Sequence, residues 1–366
     1  RNYTAAITGP DSELWRVAIN KELDQMMKKG VFTVAKEVPH GRRLCKTTWS
    51  WKVKKHADGR FLKAKARLCL CGYSQIHGRD YTQKFSPTLH PTSLKVGLII
   101  AAHRDYELHQ IDYTSAFLNG HLPEKEQMYV QIPQGMEGRF GKAKFLRVVK
   151  SLYGSVQAAR VWNQTLDAEF RRHGFTPMIT DNCVYVRKET NSNTTYLLVY
   201  VDDVIIISHK NHVNRTVKQL MSNFDSRDEG TAKWILGFEI SRDRSKRQIY
   251  VGHEQYIKDT LQKANMSNAR PQKTPMATDI ALSKAPNASA SEENRTGNAN
   301  MKIPYNSCVG STIYEAVHLR PDICFPVFQC AKYMQDPKPL HWSAMKRIYR
   351  YLNGTADQKL TLGGAR

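Results

Sequence analysis

"TTYLLVYVDDVIIISHK", residues 194–210, places two adjacent carboxylates between two apolar runs. Residues 197–199 precede the pair and residues 204–207 follow it, so that Asp202 and Asp203 occupy the junction. Short apolar runs rich in β-branched residues are typical of buried strands, and the pattern therefore predicts a β-hairpin with both aspartates at its tip. Solvated aspartates on an exposed turn are one interpretation of this pair, and ligands of a metal ion are the other.

A third carboxylate, Asp112, ends the predicted strand "LHQID", residues 108–112. If that strand neighbours the hairpin in one sheet, a strand spacing of about 4.8 Å brings Asp112 close to the hairpin tip. Hard divalent cations bind carboxylate oxygens, and two such ions roughly 3.5–4 Å apart stabilise the attacking and leaving oxygens of a phosphoryl transfer. The three aspartates are therefore compatible with a site for two Mg²⁺ ions, with Mn²⁺ as the alternative ion, and an exposed hairpin tip with solvated aspartates stays open as the other interpretation.

The composition predicts a polyanionic partner. The chain has 366 residues, of which 41% are hydrophobic, and 55 Lys and Arg against 33 Asp and Glu give a net charge of +22. Folding does not require this excess, and the commonest reason to carry it is a polyanionic partner; a basic protein without an acidic partner is the alternative. The seven cysteines form no C-x-x-C pair, which disfavours zinc and a disulfide framework. No apolar run approaches the roughly 18 residues of a membrane span, so no membrane partner is expected.

The order of elements predicts an α+β fold. Residues 11–30 have apolar positions at helical spacing (Leu14, Val17, Ala18, Leu23 and Met26), and residues 47–75 form a hairpin around "ADGR" that is dense in Lys and Arg. Strands and helices then alternate irregularly up to a polar, Ala-, Asn- and Ser-rich stretch at 267–300, which is predicted to be a flexible linker. No Gly-rich phosphate loop or regular βαβ alternation is present, which disfavours a Rossmann or P-loop domain.

Several ordered motifs resemble the reverse transcriptases of copia-type LTR retrotransposons. "VYVDDVIII" (199–207) and "HQIDYTSAFLNGHLPEKEQMYVQIPQG" (109–135) carry the resemblance first. "WSWKVKKHADGRFLKAKARL" (49–68), "FSPTLHPTSLK" (85–95), "SLYGSVQAARVWN" (151–163) and "WILGFEISRD" (234–243) extend it, as does the tail from 319 to 355. The resemblance covers essentially the whole chain.

The resemblance implies a right-hand polymerase with an antiparallel palm sheet. Residues 1–110 would then be the N-terminal helix and fingers, and residues 111–242 the palm, with a fingers insertion around 120–175. Residues 243–266 would form the thumb, 267–300 the linker and 301–366 a small connection segment. Because the chain lacks an initial Met and an acidic cluster at its end, we expect a fragment of a Pol polyprotein without its RNase H domain.

The resemblance also assigns roles to individual residues. Asp112, Asp202 and Asp203 are the expected metal ligands and catalytic residues, with Asp202 the stronger ligand and Asp203 the more tolerant of change. Phe117 is the expected steric gate against a 2′-hydroxyl. The remaining expected contacts are with the nucleotide (Lys52, Lys65, Arg67 and Gln157) and with the primer or template (Tyr200, Val201, Trp234, Leu236 and Gly237).

The expected activity is RNA-directed DNA polymerisation, in which dNTPs are added to a primer 3′ end on an RNA or DNA template. The expected location is the cytoplasm, in a virus-like particle if the element is intact, and not outside the cell. "LYGSVQAAR" departs from the family's "LYGLKQAPR", because Ser155, Val156 and Ala159 replace Leu, Lys and Pro. Two alternatives stay open: an RNA-dependent RNA polymerase, which Phe117 disfavours, and a decayed copy that only binds nucleic acid.

Overall fold

The computed structural model describes residues 2–55, 60–277, 282–283 and 305–364. The chain divides into two compact units, the first formed by residues 1–93 and 107–230 and the second by residues 94–106 and 231–366. Both units combine helices with β-sheets, which confirms the predicted α+β class. The predicted boundaries of fingers, palm, thumb and connection segment stay a prediction, since this division reports compactness alone.

The elements are numbered in chain order. The helices in the described part of the chain are α1 (Tyr3–Thr8), α2 (Ser12–Lys28), α3 (Pro91–Arg104), α4 (Ala158–Arg172), α5 (Lys210–Met221), α6 (Glu254–Lys263), α7 (Tyr305–His318), α8 (Cys324–Ala331) and α9 (Pro339–Gly354). The strands are β1 (Phe32–Ala35), β2 (Leu44–Cys45), β3 (Thr47–Lys55), β4 (Phe61–Leu70), β5 (Glu107–Tyr113), β6 (Met128–Gln131), β7 (Phe145–Val148), β8 (Thr176–Pro177), β9 (Val184–Lys188), β10 (Thr194–Tyr200), β11 (Asp203–Ser208), β12 (Ser226–Thr231), β13 (Trp234–Ile235), β14 (Phe238–Asp243), β15 (Gln248–Gly252) and β16 (Leu360–Gly363). No helix among these is long and apolar enough to cross a membrane.

A six-stranded sheet of order β12-β5-β11-β10-β9-β8 contains the predicted hairpin. Strands β10 and β11 pair antiparallel, and β11 pairs antiparallel with β5, which confirms that the strand ending in Asp112 neighbours the hairpin. Residues 204–207 of β11 are all buried. A strand covered on both faces reads as a continuous apolar run, which is why this stretch lacks alternation.

The basic hairpin forms a separate two-stranded ribbon, β3 paired antiparallel with β4, as predicted; its connecting residues 56–59 lie outside the described residues. One face of the ribbon carries Trp49, Trp51, Ala66 and Leu68, which join the core of the first unit. The four-stranded sheet of order β1-β7-β6-β2 contributes to the same core. Because side chains alternate along a strand, the opposite face of the ribbon is left for its cations.

The helix predicted at 11–30 is present as α2; of the apolar positions named in the sequence, Leu23 and Met26 are buried, whereas Leu14 and Val17 are not. Leu14 and Val17 are 47% and 67% exposed. The buried side chains of α2 are Trp15, Ile19, Glu22, Leu23 and Met26. The Trp15 ring packs against the Trp51 ring of the ribbon at 5.2 Å, and this aromatic contact sets which face turns inward.

The second unit contains an antiparallel sheet of order β13-β14-β15-β16 and a helical core. Its C-terminal part contains the helices α7 and α9, and strand β15 is followed directly by helix α6. Strand β16 pairs with β15, so residues near the end of the chain complete a sheet that begins with β13 and β14, in the segment predicted as palm. Most of the predicted linker, residues 278–300, lies outside the described residues apart from 282–283.

Candidate active site

The tip of the β10–β11 hairpin is a two-residue turn made by Val201 and Asp202, since Tyr200 pairs with Asp203. Val201 has a φ of +57°, a left-handed conformation that a β-branched residue rarely adopts. Two hydrogen bonds to backbone carbonyls hold the turn. The Trp162 indole donates to the Val201 carbonyl at 2.6 Å, and the Tyr113 backbone amide donates to the Asp202 carbonyl at 2.8 Å. Strained backbone that the surrounding structure holds in place is common at active sites, where a side chain needs a fixed orientation.

The three predicted carboxylates come together around this tip. Asp203 pairs with Asp112 across β11 and β5, so the two residues lie directly opposite each other in the sheet. The Gln110 amide donates to Asp203 Oδ1 at 3.1 Å. Arg227, on β12, places Nη2 3.6 Å from Asp112 Oδ2, although its side chain is 60% exposed. Sequence reasoning missed Arg227, because nothing in the sequence shows that β12 lies beside β5.

The pKa values of two of these aspartates are raised. Burial raises the pKa of Asp202, and the negative charge of Asp112 adds to the effect, whereas the positive charges of Arg67 and Lys65 oppose it. Burial likewise raises the pKa of Asp203; the charges of Asp202 and Asp112 add to that rise, and the hydrogen bond from Gln110 opposes it. Three carboxylates therefore repel one another in a partly dehydrated place.

This donor set suits a hard divalent cation, because it consists of oxygen atoms and its mutual repulsion would be relieved by added positive charge. As placed, the side chains do not form a finished site: within the described residues no group of three or more His, Cys, Asp or Glu could hold a metal ion. The chemistry of the donors thus fits Mg²⁺ or Mn²⁺, and the predicted metal ligation stays a prediction.

The cations of the ribbon share one face. Lys52 pairs with Lys65, Lys54 with Lys63, and Ser50 with Arg67, so five positive side chains project from the same side of β3 and β4. Like charges directly opposite each other destabilise a strand pair. Burial lowers the pKa of Lys65, and the charges of Arg67 and Lys54 lower it further. This cationic face is suited to binding an anion that relieves the repulsion.

Phe117 and Arg67 both contact the ring of Tyr153, a residue that was not among the predicted site residues. The Phe117 and Tyr153 rings lie 5.9 Å apart, edge to face, and the Arg67 guanidinium lies 5.2 Å from the centre of the Tyr153 ring. Burial raises the pKa of Tyr153 to about 12. Ser115, at a φ of +53°, begins the 3₁₀ turn Ala116–Asn119 that carries Phe117. The signal that could have identified Tyr153 is its place in "SLYG", beside Gln157.

Gln157 is placed differently from the prediction, because its side chain is 0% exposed. Its amide oxygen accepts from Gln75 at 2.9 Å, and its amide nitrogen donates to the Asp80 carbonyl at 2.9 Å. Both ends of the amide therefore already have partners inside the protein. In this structure Gln157 fixes the loop that contains Gln75 and Asp80, and it offers no surface to a nucleotide.

The predicted primer contacts fall in both units. Tyr200 and Val201 adjoin the aspartates at the hairpin tip. Trp234, Leu236 and Gly237 belong to the second unit, where residues 236–237 make a tight turn between β13 and β14 with φ of +53° and +89°. Positive φ at both turn residues is the geometry that matches the twist of a two-residue hairpin. Trp234 is 51% exposed, as a side chain that contacts a ligand would be.

Comparison with known proteins gives consistent results. The family model described as "Reverse transcriptase (RNA-dependent DNA polymerase)" matches residues 29–278. The "Retrovirus-related Pol polyprotein from transposon TNT 1-94" of Nicotiana tabacum is 36% identical over 360 residues, which is 98% of this chain and 27% of that protein. The corresponding polyproteins from transposons RE2 and RE1 of Arabidopsis thaliana are each 30% identical over 98% of this chain, which spans 24% and 23% of their lengths.

The chain therefore spans about a quarter of the length of the curated relatives it matches. Among solved structures, a foamy viral protease-reverse transcriptase in complex with double-stranded DNA is similar with a TM-score of 0.48 and 12% sequence identity. That similarity covers 92% of this chain and 48% of the other.

Proposed function

The chain belongs to the reverse transcriptase (RNA-dependent DNA polymerase) family, and from that membership we propose that it adds dNTPs to a primer 3′ end on an RNA or DNA template. It would do so as the polymerase segment of a copia-type Pol polyprotein. The observation that carries the proposal is the position of Asp203 directly opposite Asp112, with Asp202 at the adjoining turn, where the charges of Asp112, Arg67 and Lys65 act on it.

The proposed partners are an RNA template, a DNA primer and a dNTP. The net charge of +22 supports binding to nucleic acid backbones, which is dominated by phosphate contacts and does not depend on sequence. In the proposed division of labour, the ribbon belongs to the fingers, the six-stranded sheet to the palm, and the β13–β14 turn with Trp234, Leu236 and Gly237 contacts the primer. The cytoplasm, within a virus-like particle, is the proposed location.

In this proposal Asp112 and Asp202 hold two Mg²⁺ ions, with Asp203 as a weaker ligand that Gln110 already engages. When bound, the ions supply the positive charge that favours a deprotonated primer hydroxyl and stabilises the leaving pyrophosphate. The bonds from Trp162 and Tyr113 keep the hairpin turn in place, so Asp202 does not have to reorganise during the reaction.

The remaining residues would orient the nucleotide. Arg67 and Lys65, with Lys52 beside them, neutralise the triphosphate, because phosphoryl transfer depends chiefly on positioning and charge. Phe117, held edge to face by Tyr153, lies against the sugar and leaves no room for a 2′-hydroxyl. Tyr200 and Val201 contact the primer end next to the aspartates.

Primer extension on poly(rA)/oligo(dT) with Mg²⁺ tests the proposal. Asp202→Asn should abolish extension and leave template binding nearly unchanged, because it removes one metal-ligand charge at a site the duplex backbone does not need. The matched control is Asp24→Asn, which neutralises an exposed aspartate of α2 that pairs with Arg139 at the surface of the same unit.

Primer extension by the Asp202→Asn variant at the wild-type rate would falsify the assignment of Asp202 as a metal ligand. Incorporation of NTPs in preference to dNTPs would favour an RNA polymerase. Salt-sensitive binding without any extension would favour a copy that only binds nucleic acid.

A further inference from the structure

Glu22 is a buried carboxylate that no step of the proposed reaction uses. It lies on the inward face of α2, 6% exposed, and it accepts a hydrogen bond from the backbone of Leu68 on β4. Its Oε1 atom has no hydrogen-bond partner among the described residues. A buried carboxylate oxygen without a partner is costly, so its position requires an explanation other than packing.

Two cations connect Glu22 to the hairpin tip. Arg67 and Lys65 are the charged groups that act on Glu22, and the same two side chains act on Asp202. They therefore lie within electrostatic reach of two carboxylates at once, one buried beneath the ribbon and one at the turn. The Glu22 charge also acts on Cys69 of β4 and on Tyr153.

Arg67 has a half-buried guanidinium that hydrogen-bonds to the Tyr153 side chain but is not saturated with partners. Its Nε atom is buried and has no hydrogen-bond partner in the described structure, and its planar group lies 5.2 Å from the centre of the Tyr153 ring. An arginine side chain has several rotatable bonds, so its direction is set by the charges around it. If Glu22 is removed, Asp202 is a carboxylate that still attracts Arg67.

Glu22 does not help the protein fold at alkaline pH. Burial raises the pKa of Glu22 to about 7, against the opposing pull of Arg67 and Lys65. Because the folded pKa lies above the unfolded value, the folded state binds the proton more tightly, and this stabilisation is lost as pH rises from about 4.5 to above 7. At pH 8 a neutral side chain of the same shape would be at least as favourable for folding.

We infer that Glu22 is a positioning residue that holds Arg67 and Lys65 away from Asp202, so that both cations stay available to the incoming triphosphate. This inference rests on the proposed function. In this arrangement two carboxylates attract Arg67 and Lys65 in different directions. Asp202 attracts them toward the metal ligands, and Glu22 attracts them away from those ligands. Loss of Glu22 would let Arg67 pair with Asp202, where it would compete with both the triphosphate and the metal.

The test is Glu22→Gln, with Glu126→Gln as the control. Glu126 is also buried in the first unit, but it accepts from Thr82 rather than from the ribbon. At pH 8 we expect Glu22→Gln to raise KM for dTTP about tenfold, the size of one charge-assisted contact, with kcat within about twofold of wild type. Tm should stay the same or rise, and Glu126→Gln should leave KM unchanged.

A pH series separates this role from a structural one. As pH falls from 8 to 6, wild-type KM should rise toward that of Glu22→Gln, while the KM of the variant should change less, because only the wild type has a carboxylate to protonate. An unchanged or lower KM in Glu22→Gln at pH 8 overturns the inference, as does a loss of kcat that accompanies a lower Tm.

A metal-free measurement makes the test independent of activity. The Kd of inorganic tripolyphosphate should be higher for Glu22→Gln than for wild type; equal values contradict the inference. If wild type binds tripolyphosphate more tightly than Glu22→Gln but does not extend a primer, the proposed function fails while the inference about the anion site stands.

If Glu22→Gln does not fold, the second variant is Glu22→Asp, which keeps the charge on a shorter side chain. Its Kd and KM should be intermediate, and wild-type values for both would overturn the inference.

Discussion

The two hairpins of the first unit, β10–β11 and β3–β4, carry opposite charges in opposite surroundings. The β10–β11 hairpin lies inside a six-stranded sheet, paired on both sides, and presents two aspartates at a strained turn. The β3–β4 ribbon has only its two strands, one face in the core and five cations on the other. Negative charge is thus placed where the backbone is most fixed, and positive charge where side chains keep contact with water.

This difference indicates separate tasks for the two hairpins. A half-buried carboxylate on a fixed turn suits a metal ion whose position decides the rate, because reorganisation there would cost catalysis. A row of cations on the water-facing side of a two-stranded ribbon suits an anion that arrives and leaves with each cycle. Substitutions in the β10–β11 hairpin and its neighbour should therefore change kcat, whereas substitutions in the ribbon should change KM.

Asp112→Asn should have the largest effect, a fall in kcat of about 10³-fold or more, because it removes a metal-ligand charge from the strand opposite Asp203. The Kd for primer–template should stay within about twofold of wild type, since most of that affinity comes from backbone phosphates. Single-turnover extension and filter binding measure the two quantities. Asp228→Asn, on β12 of the same sheet, is the control, and a comparable loss there would remove the distinction between the hairpins.

Much of the β10–β11 site was predictable from the sequence. The apolar runs on either side of Asp202 and Asp203 predicted the hairpin, and the structure confirms both the hairpin and its pairing with the strand that ends in Asp112. These features depend on local patterning, which a single sequence contains. The strain at Val201 and the approach of Arg227 depend on which elements become neighbours, and local patterning does not contain that information.

Burial explains the remaining differences. Gln157 was predicted to contact the nucleotide from its motif, but its amide is enclosed by Gln75 and Asp80, which lie about eighty positions earlier in the chain. Glu22 looks like an ordinary exposed glutamate of a helix until Trp15 and Ile19, rather than Leu14 and Val17, are seen to face the core. In both cases the sequence shows the residue type, and only the packing of distant segments shows what surrounds it.

Lys65→Gln should raise KM for dNTP about tenfold and leave kcat within about threefold, because Lys65 is one of the two cations that act on Asp202. Lys54→Gln is the matched control from the same face of the ribbon, and we expect less than about a threefold change because it is an exposed charge. Steady-state extension with varied dTTP measures both. If Lys65→Gln lowers kcat as strongly as Asp112→Asn, the two hairpins do not have separate tasks.

Val201→Gly should have the smallest effect and tests whether the turn is fixed by strain or by its bonds. Glycine removes a left-handed β-branched conformation that costs about 1–2 kcal/mol, but it adds about 0.5–1 kcal/mol of chain entropy to be lost on folding. We therefore expect the free energy of unfolding in urea to rise by about 0.5–1 kcal/mol. Because Trp162 and Tyr113 hold the turn through backbone carbonyls, which glycine retains, kcat should change by less than about twofold, and loss of the proposed Val201 contact with the primer should appear in KM for the primer–template instead. A larger loss of kcat with unchanged stability would show that the Val201 side chain, rather than these two bonds, holds Asp202 in place.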